Sequence, residues 1–206
     1  LFRSHRGLVS DNAAENTLAA FQDALDAGAT HLETDVQATK DGVAILFHDN
    51  TLKRVAGIDS DVKNLTFEQV RAIALPGGPI LSLQEALEKL PDARFNLDIK
   101  RSIAIEPTVR AIVAAKGQDR VLVSSFSDSR RRKAMRLLRA QGLSAATGMG
   151  LAKILLAVLA AKLRLRRAFN LVAQGSQAIQ VPCEHPLINP LQPRFIEYAL
   201  AAGLQL

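Results

Sequence analysis

The sequence predicts an α/β chain wound as a (β/α)8 TIM barrel, incomplete at its first and last strands. Three observations predict it. Eight strand starts (Phe2, Thr30, Val43, Ala93, Val121, Leu143, Ala178 and Leu204) alternate with helical stretches, an order that implies parallel pairing. The strands are near-continuous apolar runs, as a sheet covered by helices requires. Polar residues emerge at the ends of several different strands, where a barrel gathers its site. An open doubly wound sheet is the alternative, and the absence of a Gly-rich phosphate loop after the first strand argues against it.

The elements follow in order. Residues 2–5 read as the end of a strand, and 16–27 as a helix closed by Gly28. Residues 30–37 form a strand that turns at Lys40-Asp41-Gly42, and 43–47 a continuous apolar strand running into His48-Asp49. Helices over 65–74 and 83–90 open on Thr66 and Ser82, each followed by Glu or Gln in capping position. The loop Pro76-Gly77-Gly78-Pro79 separates them. Residues 93–100 are a strand, and 106–115 a helix with Pro107 in its first turn. A strand over 121–126, a helix over 129–141 ended by Gly142 and a short strand over 143–147 come next. Then follow one helix over 151–167, a strand over 178–182, a helix over 193–202 and an opening strand at 204–206. No hinge-like linker or low-complexity tract interrupts 1–206, which reads as a single domain.

Composition narrows the class of protein. A chain of 206 residues, 48% hydrophobic and 22% charged, buries a sizeable core and is not disordered. The lone Cys183 excludes an intrachain disulfide framework and reads as a packing residue. Net charge is +6, and no acidic residue lies between Asp128 and Glu184, a stretch holding eleven Lys and Arg. Such a flank favours anionic partners. A non-enzymatic barrel that binds anions or nucleic acid through this flank is a further alternative, and an aromatic content of 4%, without Trp, argues against it, because base stacking needs exposed aromatic platforms. The apolar run 154–161 is too short for a bilayer, which needs about 20 residues. Residues 151–167 therefore read as a barrel-wall helix, or alternatively as a peripheral membrane contact through a basic, apolar helix on an anionic surface. Without a visible signal peptide, a cytoplasmic location is expected. The chain starts at Leu1 rather than Met, which reads as a cut N-terminus and leaves a removed leader open. Oligomeric state is not legible.

The chemistry lies in two strand segments, Leu32 to Val36 and Asn96 to Lys100. Side chains two apart on a strand share a face, so Glu33 pairs with Asp35 and Asp98 with Lys100. Buried carboxylates side by side are costly unless a cation neutralises them. Three carboxylates and one ammonium on inward faces read as a divalent-metal site for an anionic substrate. His5 and His48 each follow a strand and suit general acid/base work near neutrality. Arg6 can grip phosphate through two nitrogens, and Gly7 lets the chain turn. Glu15-Asn16-Thr17 precedes the first helix; Asn16 or Thr17 reads as its cap, with Glu15 or Asn16 as alternative contacts to ligand or metal.

Together these residues resemble the glycerophosphodiester phosphodiesterase family. The likeness runs through H-R-G at 5–7, E-N-T at 15–17, Glu33 and Asp35, D-G-V at 41–43, H-D at 48–49, N-L-D-I-K at 96–100 and S-S-F-S at 124–127. The resemblance implies a metal-dependent (β/α)8 barrel that hydrolyses glycerophosphodiesters to glycerol 3-phosphate and an alcohol; the same chemistry on a lysophospholipid at a membrane surface is the alternative. It implies His5 and His48 as the acid/base pair, and Glu33, Asp35 and Asp98 as ligands of Mg2+ or Ca2+, with Mn2+ as the alternative. Arg6 and Lys100 become phosphate contacts. Two departures stand out: Asp98 occupies a position where many members carry Glu, and the sequence stops at Leu206 before the family's W-T-x-N segment. An eighth strand that is missing or curtailed is the expectation.

Overall fold

The computed structural model describes residues 3–179 and 192–205. The chain opens with β1 (Arg3–His5), α1 (Leu18–Asp26) and β2 (His31–Ala38). After β3 (Ala44–Leu46) come the short helices α2 (Lys53–Ala56) and α3 (Phe67–Arg71), then α4 (Leu83–Lys89). The second half alternates regularly: β4 (Arg94–Ile99), α5 (Ile105–Ala114), β5 (Val121–Ser124), α6 (Asp128–Ala140) and β6 (Ala146–Thr147). It ends with α7 (Leu151–Lys162), α8 (Arg166–Ala173) and α9 (Pro193–Ala201).

The sheet runs β1-β2-β4-β5-β6, parallel throughout. Parallel bridges extend it from Gly148 to Ala178 and from Ala178 to Gln205. Successive strands thus lie side by side in chain order, the order of a barrel wall. Of the strand predicted over 178–182, Ala178 and Ile179 are described; Pro182 and Cys183, like Leu206, lie outside the described residues.

β3 is not the parallel strand its apolar run implies. It pairs antiparallel with the far half of β2, Val36 opposite Leu46 and Ala38 opposite Ala44. The reason is length: the turn between them is far shorter than the dozen residues a parallel crossover needs. Thr39 closes that turn, its hydroxyl donating to Asp41 Oδ1 at 2.6 Å and accepting from the Val43 amide at 3.0 Å. Gly42 supplies the left-handed backbone there (φ 76°). The sequence count of eight parallel starts therefore includes one hairpin strand. From β3 to α4 the chain makes an excursion with its own apolar cluster of Ile45, Phe47, Leu52, Val62, Val70 and Ile80.

The helices follow the capping expectations. Thr66 and Ser82 both form reciprocal capping boxes, with Gln69 and Glu85. The main cluster packs α1, α4, α5 and α6 on the outer faces of β2, β4 and β5, with Phe21 edge-on to Phe95 at 5.9 Å. A second cluster joins α7, α8 and α9 around Phe169, Phe195 and Tyr198.

The predicted helix over 151–167 is two helices. The break falls at Arg164, in left-handed conformation (φ 61°). There the Leu165 amide donates to the Ala160 carbonyl (2.8 Å) and the Arg164 amide to the Ala161 carbonyl (3.2 Å). This is a Schellman end made without the glycine that usually announces one. The wall reading holds for one face of α7: Ile154, Ala157, Val158 and Ala161 are buried, while its other face is open to solvent.

The turn after β1 is fixed sterically. Gly7 has φ 87°, and a Cβ there would stand 2.7 Å from the Ala20 carbonyl carbon and Cβ. Gly7→Ala is expected to cost about 2–4 kcal/mol, from left-handed strain plus overpacking against α1. The midpoint of urea unfolding checks this; an unchanged midpoint would show that α1 yields.

Candidate active site

The site is assembled at the C-terminal ends of β1, β2 and β4. Register sets it: His5 lies opposite Glu33, and Asp35 opposite Asp98. Strand alternation then turns Glu33, Asp35 and Gln37 to one face. The hairpin brings His48 to this group, because the Phe47 amide donates to the Asp35 carbonyl at 2.9 Å. A parallel strand would have carried His48 one wall position away.

Around these residues runs a chain of alternating charges. His48 Nδ1 bonds Asp49 Oδ1 at 2.6 Å, and Asp49 Oδ2 accepts from Arg54 Nε at 2.6 Å. Arg54 forks onto Glu15 with contacts of 2.6 and 3.2 Å, and Glu15 also meets Arg6 at 3.5 Å. Arg6 Nε lies 2.8 Å from Asp35 Oδ2. That pair is close but misaligned for a hydrogen bond, since both atoms lack a directed partner. Lys100 Nζ closes the series, 2.7 Å from both Asp35 Oδ1 and Asp98 Oδ2. The structure thus gathers His5, Arg6, Glu15, Glu33, Asp35, His48, Asp98 and Lys100 in one region.

Asn16 is placed differently. Thr17, not Asn16, caps α1 by accepting from the Ala20 amide. Asn16 takes a left-handed turn (φ 61°), and its Oδ1 accepts from the Thr34 hydroxyl at 2.8 Å. Thr34 faces away from Glu33 and Asp35, so Asn16 braces the back of β2. Arg6 is also left-handed (φ 60°), with its amide bonded to the Glu33 carbonyl at 2.9 Å. Two non-glycine residues of the polar cleft thus hold left-handed backbone.

Burial and charge set the protonation states. Burial, then the charges of Asp35 and Asp98, push the Glu33 carboxyl up to about 8. Burial would also raise Glu15 and Asp49, but hydrogen bonds from Arg54 outweigh it and hold both below the usual carboxylate range. Burial opposes the Lys100 ammonium, yet its bonds to Asp35 and Asp98 raise it above its ordinary value. Burial, then the nearby Arg6 charge, lowers the His5 imidazole, and His48 acts in the same direction. His5 keeps a side chain 72% exposed, with Nε2 3.8 Å from Glu33 Oε2.

Glu33, Asp35 and Asp98 offer only oxygen atoms, the donor type that hard cations take. Glu33 Oε2, Asp35 Oδ2 and Asp98 Oδ1 are buried without hydrogen-bond donors. Such orphaned oxygens are costly unless something positive meets them. Five carboxylates (Glu15, Glu33, Asp35, Asp49, Asp98) face only three fixed cations (Arg6, Arg54, Lys100), which leaves two negative charges over when all are ionised. As they stand, no three His, Cys, Asp or Glu side chains among the described residues are gathered tightly enough to hold one ion. Lys100 explains this, since its ammonium lies between Asp35 and Asp98.

Sequence reading overlooked three residues here. Arg54 bridges Glu15 and Asp49, and its only local signal is its place soon after His48-Asp49. Gln37 Nε2 donates to the carbonyls of His48 (3.2 Å) and Asp49 (3.1 Å), pinning the loop that carries them. It continues the i, i+2 series from Glu33, a signal that was present. Phe126 is exposed with its ring centroid 5.5 Å from Lys100 Nζ.

Comparison with known proteins follows the same lines. The chain is 39% identical over 204 residues to a probable glycerophosphodiester phosphodiesterase 2 of Mycobacterium tuberculosis, covering 98% of this chain and 76% of that protein. The fold is that of a glycerophosphodiester phosphodiesterase from Agrobacterium tumefaciens (TM-score 0.75, 23% identity, 98% of this chain and 82% of that one). It is also that of an Oleispira antarctica phosphodiesterase solved with the product sn-glycerol-3-phosphate (TM-score 0.68, 20% identity, 99% and 90%). The glycerophosphoryl diester phosphodiesterase family profile matches residues 5–206, and the chain therefore belongs to that family of phosphodiester-cleaving enzymes.

Proposed function

We propose that this enzyme hydrolyses glycerophosphodiesters to glycerol 3-phosphate and an alcohol, with a divalent cation held by Glu33, Asp35 and Asp98 and with His5 and His48 moving the protons. One observation carries the reading: a single charge network runs from His48 to Asp35 and Asp98, Glu33 shares their strand face, and each of these three carboxylates has a buried oxygen that lacks a hydrogen-bond donor. An all-oxygen donor set suits Mg2+ or Ca2+, with Mn2+ the alternative. When bound, such an ion would neutralise charge developing on the phosphate oxygens.

The chain's own groups do the rest. Arg6 and Lys100 hold fixed positive charge where the phosphate must sit, and their carboxylate partners keep them oriented before substrate arrives. Asp49 occupies His48 Nδ1, which fixes the ring and leaves Nε2 to exchange a proton. His5, exposed at the cleft, offers the second imidazole. One takes a proton from the attacking group, water or a neighbouring substrate hydroxyl, and the other protonates the departing alkoxide.

The test is product release from glycerophosphocholine, glycerophosphoethanolamine and lysophosphatidylcholine, with Mg2+, Ca2+, Mn2+ or excess EDTA. Glycerol 3-phosphate should appear, vanish with EDTA and return with one of the three ions. Release that EDTA leaves untouched removes the cation from the reading. Release of phosphocholine would instead place cleavage at the other ester bond. Preference for lysophosphatidylcholine would move the substrate class to lysophospholipids.

A further inference from the structure

We propose that the α7–α8 hairpin is a docking surface for an anionic lipid bilayer. The inference is independent of the chemistry proposed for the barrel mouth. α7 is apolar on both faces. Its buried side enters the second core cluster, while Leu151, Leu155, Leu156 and Leu159 on its outer side are 42–55% exposed. Spacings of three and four residues align these leucines in one stripe. A solvated helix of a globular protein normally carries polar residues there.

The break at Arg164 turns the stripe into a tip. Leu163 and Leu165 flank that residue and are 58% and 51% exposed. Lys162, Arg164, Arg166 and Arg167 surround them; all four are exposed, and none forms an ion pair among the described residues. Lys153 is excluded from this set, since its Nζ donates to the Gln174 carbonyl at 2.7 Å and clasps α7 to the end of α8. Leucines ringed by exposed cations are what an interfacial helix presents to acyl chains and phosphate headgroups.

Charge selects the occupant. No acidic residue occurs from 129 to 183, so a second copy of this face would set cations against cations. A surface of acidic headgroups meets them with opposite charge. The geometry is one of lying on the bilayer, because no helix among the described residues is long and apolar enough to cross it.

Vesicle co-sedimentation tests the proposal. The protein should pellet with vesicles of equal parts phosphatidylglycerol and phosphatidylcholine at low salt, and release at high salt. R166S/R167S should bind roughly tenfold or more weakly, given the contribution of each basic residue near a charged surface. L156E/L159E should stay in the supernatant. Both variants should melt with the parent and hydrolyse glycerophosphocholine at its rate. Equal pelleting on pure phosphatidylcholine, or none on either, overturns the proposal. So does a lipid-free dimer that L156E/L159E dissociates, which would make the face an interface between copies. If no variant or parent hydrolyses any diester, the proposed chemistry fails while the vesicle result stands by itself.

Discussion

His48→Ala should lower turnover by ~10²–10⁴-fold, the range of a general acid or base, with little change in stability. The structure gives the reason for both halves. His48 is only partly buried, and its one side-chain bond among the described residues is to Asp49. The loop bearing it is held by main-chain groups, through Gln37 Nε2 to the His48 and Asp49 carbonyls and through the Phe47 amide to Asp35. Removing the ring leaves those bonds in place. Asp49 also keeps Arg54, so no buried charge is stranded. Steady-state kinetics with thermal unfolding of the same preparation checks it. Turnover within threefold of the parent would remove His48 from the proton transfers. His5→Ala is the companion case, and its exposure makes the structural cost smaller still.

Asp35→Ala should act on fold and chemistry together. The Asp35 side chain is 2% exposed, and its two oxygens meet two different cations, Lys100 at 2.7 Å and Arg6 at 2.8 Å. Deleting one partner of a buried pair costs about 3–5 kcal/mol, because the charges left behind lose their counter-ion. Here two are left, though Lys100 retains Asp98 and Arg6 retains Glu15. The retained contacts place the expected loss at the lower end, about 3 kcal/mol. Activity should fall further than in His48→Ala, since phosphate orientation and the proposed cation site are lost at once. Asp35→Asn separates the two effects: it keeps the shape, restores part of the stability and still lacks the charge. Full activity in Asp35→Asn would show that the carboxylate holds no ion and no essential cation.

Parallel elements and paired carboxylates were legible because their physics is local. Strand alternation alone puts Glu33 with Asp35 and Asp98 with Lys100, and register then sets Asp35 beside Asp98. β3 shows where local pattern misleads. Its apolar run looks like a buried parallel strand, and only the shortness of the Thr39 to Val43 turn says otherwise. The break at Arg164 left no trace in the sequence, because an arginine holds a conformation usually reserved for glycine. Arg54 was missed for another reason. Its partner Glu15 is 39 residues away, so its role exists only once the excursion folds against β1.

The hairpin after β2 has a consequence for how this enzyme can fail. The imidazole of His48 rides on one packed body, with Ile45, Phe47 and Leu52 at its centre, while the carboxylates sit on another. Their alignment is a joint, stitched by Arg54 to Glu15 across the seam. A cooperative unit of that size can loosen at lower free energy than the barrel it leans on. Competence is then limited by the weaker of two bodies, and damage remote from either reacting group can disarm the enzyme while the wall of strands stays whole.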